Sequence, residues 1–157
     1  MFIQKEDYNF LAYSLLILLD TLDCSRENKL FKDFRKIAYL VDFINQGGDF
    51  VKYSREQLSL IYTKAPIKRQ LIHHLLHILS KKNYIGVSRN TTHKSFDVWI
   101  IRENLPSAFL DKRFFENEIS NINLLKNAFG NRSLKTITLK NLSDAIFKTK
   151  NIITWEF

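Results

Sequence analysis

The residues from Pro66 to Lys82 constrain this chain more than any other stretch. Wound at ~100° per residue, they separate into two clean arcs. One holds Ile67, Ile78, Leu71, Leu75, Leu79, Ile72 and Leu76; the other holds only Arg69, Ser80, His73, His77, Gln70, Lys81 and His74. A helix of this kind lays one face on a core and offers the other to water or to a partner. Pro66 suits its first turn, where no backbone N–H is needed.

The flanking residues extend the pattern. Ser54 and Gln57 have the spacing of a capping box, Leu58 and Ile61 supply a buried side, and this short helix is expected to stop near Thr63, before Pro66. Downstream, Tyr84–Arg89 and Ser95–Arg102 are β-branched and aromatic and flank the polar tip Asn90–Lys94, which predicts a hairpin. Short helix, tight turn, amphipathic helix and hairpin, in that order, predict a winged helix-turn-helix core over 49–104.

Two helices are expected ahead of that core. The first, Asp7 to about Leu22, is apolar so far round that it needs more than one packing neighbour. The second, about Glu27 to Asn45, carries the stripe Leu30, Phe34, Ile37, Val41 and Ile44 and ends at Gln46-Gly47-Gly48. Beyond the core, Pro106 opens a helical stretch through Phe109, Phe114 and Phe115 that continues by Ile119, Ile122 and Leu125 towards Gly130. Leu134 to Ile137 reads as a short strand, Thr138 caps a last helix, and the hydrophobic tail from Ile152 to Phe157 adds a strand or docks on a partner. The expected fold is therefore mainly α with a small β-hairpin: one domain over 1–157, with an N-terminal helical pair (1–48) and a C-terminal helical extension (105–157).

At 157 residues, 45% of them hydrophobic and thirteen of them Phe, the chain buries a core without help from disulfides or metal. Cys24 is the sole cysteine and reads as a small buried thiol in a reducing compartment. Glu6 and Asp7 precede the first apolar run, unlike a signal peptide, and that run is too short to span a membrane. A cytoplasmic location is expected, with no membrane partner.

Charge is placed unevenly within the net +8. Residues 64–96 carry Lys64, Lys68, Arg69, Lys81, Lys82, Arg89 and Lys94 and no acid, whereas residues 1–56 are close to neutral. Local positive charge of this kind attracts polyanions or acidic protein surfaces. A winged helix on DNA would direct Lys68, Arg69, Gln70, His73, His77 and Lys81 from the helix, and Arg89, Lys94 and His93 from the wing. Arg and Gln read base edges; Lys meets phosphate. Many winged helices instead dock on proteins, and both readings stay open from the residues.

His73 and His77 lie one turn apart and invite a metal, but no acid or cysteine nearby completes a ligand set. They read as polar surface groups, and no metal or cofactor is expected. Asp20, Asp23 and Glu27 read as caps and solvated surface. No Gly-rich phosphate loop, HExxH, GxSxG or dinucleotide fingerprint is present, so the expectation is a binding protein and not an enzyme.

Three segments, Lys29–Gly48 (KLFKDFRKIAYLVDFINQGG), the core SREQL…PIKRQLIHHLLHILSKKNYI…FDVWII, and Leu134–Phe147 (LKTITLKNLSDAIF), resemble the small middle components of ABC three-component systems, including Lamassu-type anti-phage defence operons. The resemblance is one of architecture and texture, and it covers most of the chain. It implies a non-catalytic subunit on the head region of an SMC- or Rad50-like ATPase, beside an effector subunit such as a nuclease. The basic wing would then contact double-stranded DNA held by the heads or an acidic face of the ATPase. The competing expectation is a free-standing winged-helix DNA-binding regulator or antitoxin.

Overall fold

The computed structural model describes residues 5–111, 113–129 and 133–155. Its long elements are α1 (Lys5–Thr21), α2 (Ile37–Gln46), α3 (Arg55–Lys81), the strands β1 (Ile85–Asn90) and β2 (Ser95–Ile100), α4 (Glu116–Ala128) and α5 (Leu139–Phe147). The fold is mainly α with a two-stranded antiparallel hairpin and flanking helices, winged-helix-like in its order. No helix among the described residues is long and apolar enough to cross a membrane.

Helix α1 meets the demand its sequence makes. Leu15, Leu18 and Leu19 are fully buried, because α1 packs against α2, α3, α4 and β2 together. The same core takes Ile37, Leu40, Phe43 and Ile44 from α2, Leu58 and Ile72 from α3, Ile122 and Leu125 from α4, and Leu142, Ile146 and Phe147 from α5.

The helix expected from Glu27 forms only in its second half. Phe31 instead exchanges two backbone hydrogen bonds with Val98, at 2.8 and 3.0 Å, and adds a single rung to β2. Asp33 then takes a left-handed φ of 64°, and its carboxylate accepts from the Arg35 backbone N–H as a short 3-10 turn leads into α2. Phe31 stands off the apolar stripe of the expected helix, and burying its ring outweighs continuing that helix.

The break expected before Pro66 is absent, and α3 runs through it for 27 residues. An interior proline gives up one backbone hydrogen bond and crowds the preceding turn. Here the tertiary contacts outweigh that cost. Leu58, Ile61, Tyr62, Ala65, Ile72, Leu75, Leu76 and Leu79 form one buried stripe, so Tyr62 and Ala65 carry it across the proline. The pair of helices before the hairpin is therefore α2 and α3. The capping box at Ser54 and Gln57 does start α3, with both reciprocal bonds made.

The hairpin follows expectation, with Ile85 opposite Ile100 and Arg89 opposite Phe96. Gly86 lies under Trp99, whose indole occupies the space a Cβ would need.

The C-terminal part differs in detail. Ser107–Leu110 is a 3-10 turn and α4 begins only at Glu116; the expected stop at Gly130 lies outside the described residues. Leu134–Ile137 is a turn and not a strand. Its carbonyls serve the N-terminal segment, with the Lys32 N–H donating to the Lys135 carbonyl at 2.9 Å. Thr138 caps α5 as expected, accepting from the Asn141 N–H at 3.2 Å. The tail docks on α3, where the Trp155 N–H donates to the Tyr62 hydroxyl at 2.6 Å; Glu156 and Phe157 lie outside the described residues.

Candidate nucleic-acid interface

The continuity of α3 decides which of its polar side chains reach solvent. Arg69 and Leu76 are seven residues apart and thus differ by only ~20° around the helix. Leu76 is buried, and Arg69 is drawn inward with it, its guanidinium 5.9 Å from the centre of the Tyr39 ring on α2. Lys68 also turns to α2, where its ammonium meets Asp42 at 2.5 Å. Both residues had been expected on the docking face. The structure uses them to fasten α3 to α2.

The remaining candidates stay outside. Gln70, His73, His77 and Lys81 are exposed along the outer face of α3, and Arg89 and Lys94 are exposed on the hairpin. The tip is shaped by two local devices. Asn90 Oδ1 accepts from the His93 N–H at 3.1 Å, tying its side chain across the turn, and Lys94 takes a left-handed φ of 51°. His93 is left half-buried.

Phe96 joins the two elements. Its ring centre lies 5.9 Å from that of His73 and 6.3 Å from that of Phe34, and His73 lies 5.7 Å from Phe34. His73 is therefore a wall of a cleft as well as a surface imidazole. That cleft, about 240 Å³, is lined by His73, Leu76, His77, Ser80, Val87 and Phe96. A neighbouring one of about 360 Å³ at the tip shares Phe96 and is lined by Arg89, Asn90, Thr91, Lys94 and Ser95.

A buried polar network, which the sequence pattern did not disclose, orients the wing. Asp97 Oδ1 accepts from the Asp33 N–H at 2.8 Å and from Asn90 Nδ2 at 3.0 Å. Ser95 Oγ donates to Asp33 at 2.8 Å, and Arg35 grips the same carboxylate through Nε and a terminal nitrogen at 2.8 and 2.6 Å. Burial alone would push the Asp33 carboxyl up, but the hydrogen bonds from Arg35 and Ser95 prevail and hold it below the usual range. The network also engages Asp97, the acid nearest in sequence to the basic stretch.

Beside it lies Lys36, fully buried. Its ammonium donates to the Leu134 and Lys135 carbonyls at 2.9 and 3.1 Å and sits 4.3 Å from the Phe31 ring centre. Burial lowers its pKa from 10.5 to about 7. Cys24 is buried nearby, and burial pushes its thiol up to about 11, which leaves it unreactive.

Asp20 and Asp23 are engaged as well. Arg102 donates to Asp20 at 2.6 Å and meets Asp23 at 3.0 Å; it is this hydrogen bond that lowers the Asp23 pKa. Among the described residues no group of three or more His, Cys, Asp or Glu is placed to hold a metal.

The arrangement thus offers His73, His77, Lys81, Arg89 and Lys94, all exposed, along the end of α3 and the wing, with hydroxyl and amide groups between them. No protein-family model, curated protein or solved structure matches the chain.

Proposed function

We propose that the chain is a cytoplasmic, non-catalytic accessory subunit of an SMC-like ATPase complex of the anti-phage defence kind, and that it meets double-stranded DNA through the outer face of α3 and the hairpin. The observation that carries the reading is the exposed set of Lys81, Arg89 and Lys94 in a stretch of sequence, 64–96, without an acid. Phosphate contacts of this sort position a duplex without reading it. The inward turn of Arg69 removes the best base-reading side chain from the face, which favours the accessory subunit over a sequence-specific regulator. Phe10 and Tyr13, each about half exposed on α1 (49% and 47%), supply an apolar contact on which an ATPase head would dock, with the nuclease effector as the third member.

Single alanine variants test the DNA arm. Lys81→Ala, Arg89→Ala and Lys94→Ala are each expected to weaken duplex binding several-fold and by the same factor on every sequence, while Lys68→Ala leaves it unchanged. A marked sequence preference would instead support the free-standing regulator. In co-expression with a neighbouring coiled-coil ATPase, the chain is expected to co-purify, and Phe10→Asp with Tyr13→Asp to abolish retention. No retention of the native chain would contradict the ATPase arm.

A further inference from the structure

The two adjoining clefts differ in character. The one between α3 and the hairpin has an apolar floor of Leu76, Val87 and Phe96 and two imidazoles, His73 and His77, at its rim. The one at the tip presents Arg89 and Lys94. Phe96 lines both, and Arg89 is its cross-strand partner. The first cleft alone, at about 240 Å³, is smaller than the usual ligand site of about 300–1,000 Å³; with the second, about 360 Å³ on the other side of the shared Phe96 lining, the space falls within that range.

An apolar slot with an aromatic wall and hydrogen-bonding ring nitrogens at its edge fits a flat heterocycle. A pair of cations just past the aromatic wall fits a phosphate. We propose that the joined clefts take one unpaired nucleotide, its base against Phe96 and His73 and its phosphate against Arg89 and Lys94. Within a duplex the bases are stacked and paired and cannot enter such a slot. The ligand is therefore the single-stranded end of a DNA or a free nucleoside monophosphate, which share this chemistry. The inference rests on the DNA reading above, since it shares Arg89 and Lys94 with it.

The test compares a blunt duplex, the same duplex with a short single-stranded overhang, and a nucleoside monophosphate alone. Stacking one base on an aromatic side chain is worth roughly tenfold or more in affinity, so the overhung duplex is expected to bind about tenfold more tightly than the blunt one at equal salt. Ser80→Leu, which fills the slot from a partly exposed helix position, is expected to erase that difference and leave blunt-duplex affinity unchanged. Phe96→Leu is expected to do the same, with circular dichroism confirming its fold. Shifts of the His73 and His77 ring resonances on adding the monophosphate, lost in Ser80→Leu, would assign the free nucleotide as ligand. An overhang preference without those shifts would assign the strand end. Equal affinity for both duplexes together with silent histidines would overturn the inference, while the DNA reading would stand on the blunt duplex. If the blunt duplex fails to bind but the monophosphate shifts both rings, the site stands and the DNA reading falls.

Discussion

Raising the pH from 7 to 9 is expected to stabilise the native protein by about 2 kcal/mol, through Lys36. The folded-state pKa of Lys36 is lowered to about 7 from 10.5 by burial, despite the favourable pull of Asp33, Cys24 and Asp97. Between those two values the unfolded chain binds the proton and the native chain does not. Stability therefore rises with pH in that window, by at most about 1.4 kcal/mol per unit. Below about pH 7 both states are protonated, and the contribution is flat at its lowest. From about pH 9 Cys24 opposes the trend: its native pKa is raised to about 11 from 9.0, so the native state holds the extra proton and the rise flattens. The two contributions balance near pH 10, where stability is at its maximum. Denaturant titrations at pH 6, 7, 8, 9, 10 and 11 check it. Because raising the pH also relieves repulsion in a chain of net charge +8, the decisive comparison is Lys36→Met, which should lose most of the slope. An equal slope in that variant would show that Lys36 is not the source.

The second large effect is expected at Gly48. An added Cβ would lie 2.2 Å from the backbone oxygen of Asn121 and 2.8 Å from its carbonyl carbon, so α4 itself would have to move. The same contact is fastened by side-chain bonds. Asn121 Oδ1 accepts from the Gly48 N–H at 3.2 Å, and its Nδ2 donates to the Ile44 carbonyl at 2.8 Å, closing the C-terminus of α2. Gly48→Ala is therefore expected to cost about 2–4 kcal/mol, the sum of overpacking and weakened hydrogen bonds. It should lower the urea midpoint without changing the slope. An unchanged midpoint would mean that α4 does not pack on this turn.

Both effects come from contacts between distant segments, and this also explains what was legible in the sequence. The hairpin, the capping box at Ser54, the Thr138 cap and the stop of α2 at Gly47, whose φ of 152° disfavours other residues, all follow from local chemistry. Gly47 and Gly48 read alike as a helix stop, yet only Gly48 is required by the close approach of α4. The first half of the expected second helix is absent because Phe31 pairs with Val98, 67 positions on, and no periodicity records such a partner. A large aromatic on the charged side of the expected stripe was the available signal. Pro66 is a reliable local stop that tertiary packing overrode, and the apolar run Leu58, Ile61, Tyr62, Ala65 was the sign that the stripe continued. On a helix beginning at Pro66, Arg69 falls among the polar residues, although it borders Leu76. That border position is buried because α2 and Tyr39 lie over it. Gln70, His73, His77 and Lys81 are exposed, and their positions on the polar arc of the helix suffice to predict that exposure. Lys36 gave no sign, since a lysine among Arg26, Lys29, Lys32 and Arg35 looks like any solvated residue.

The central claim is that Lys81, Arg89 and Lys94 form a cationic face for double-stranded DNA, and the salt dependence of binding tests it most directly. Each phosphate neutralised contributes about −0.9 to the slope of log K against log salt concentration. Engagement of these three side chains predicts a slope of about −3 for the native chain on duplexes of unrelated sequence. A slope near zero, or no measurable binding at 50 mM salt, would contradict the account.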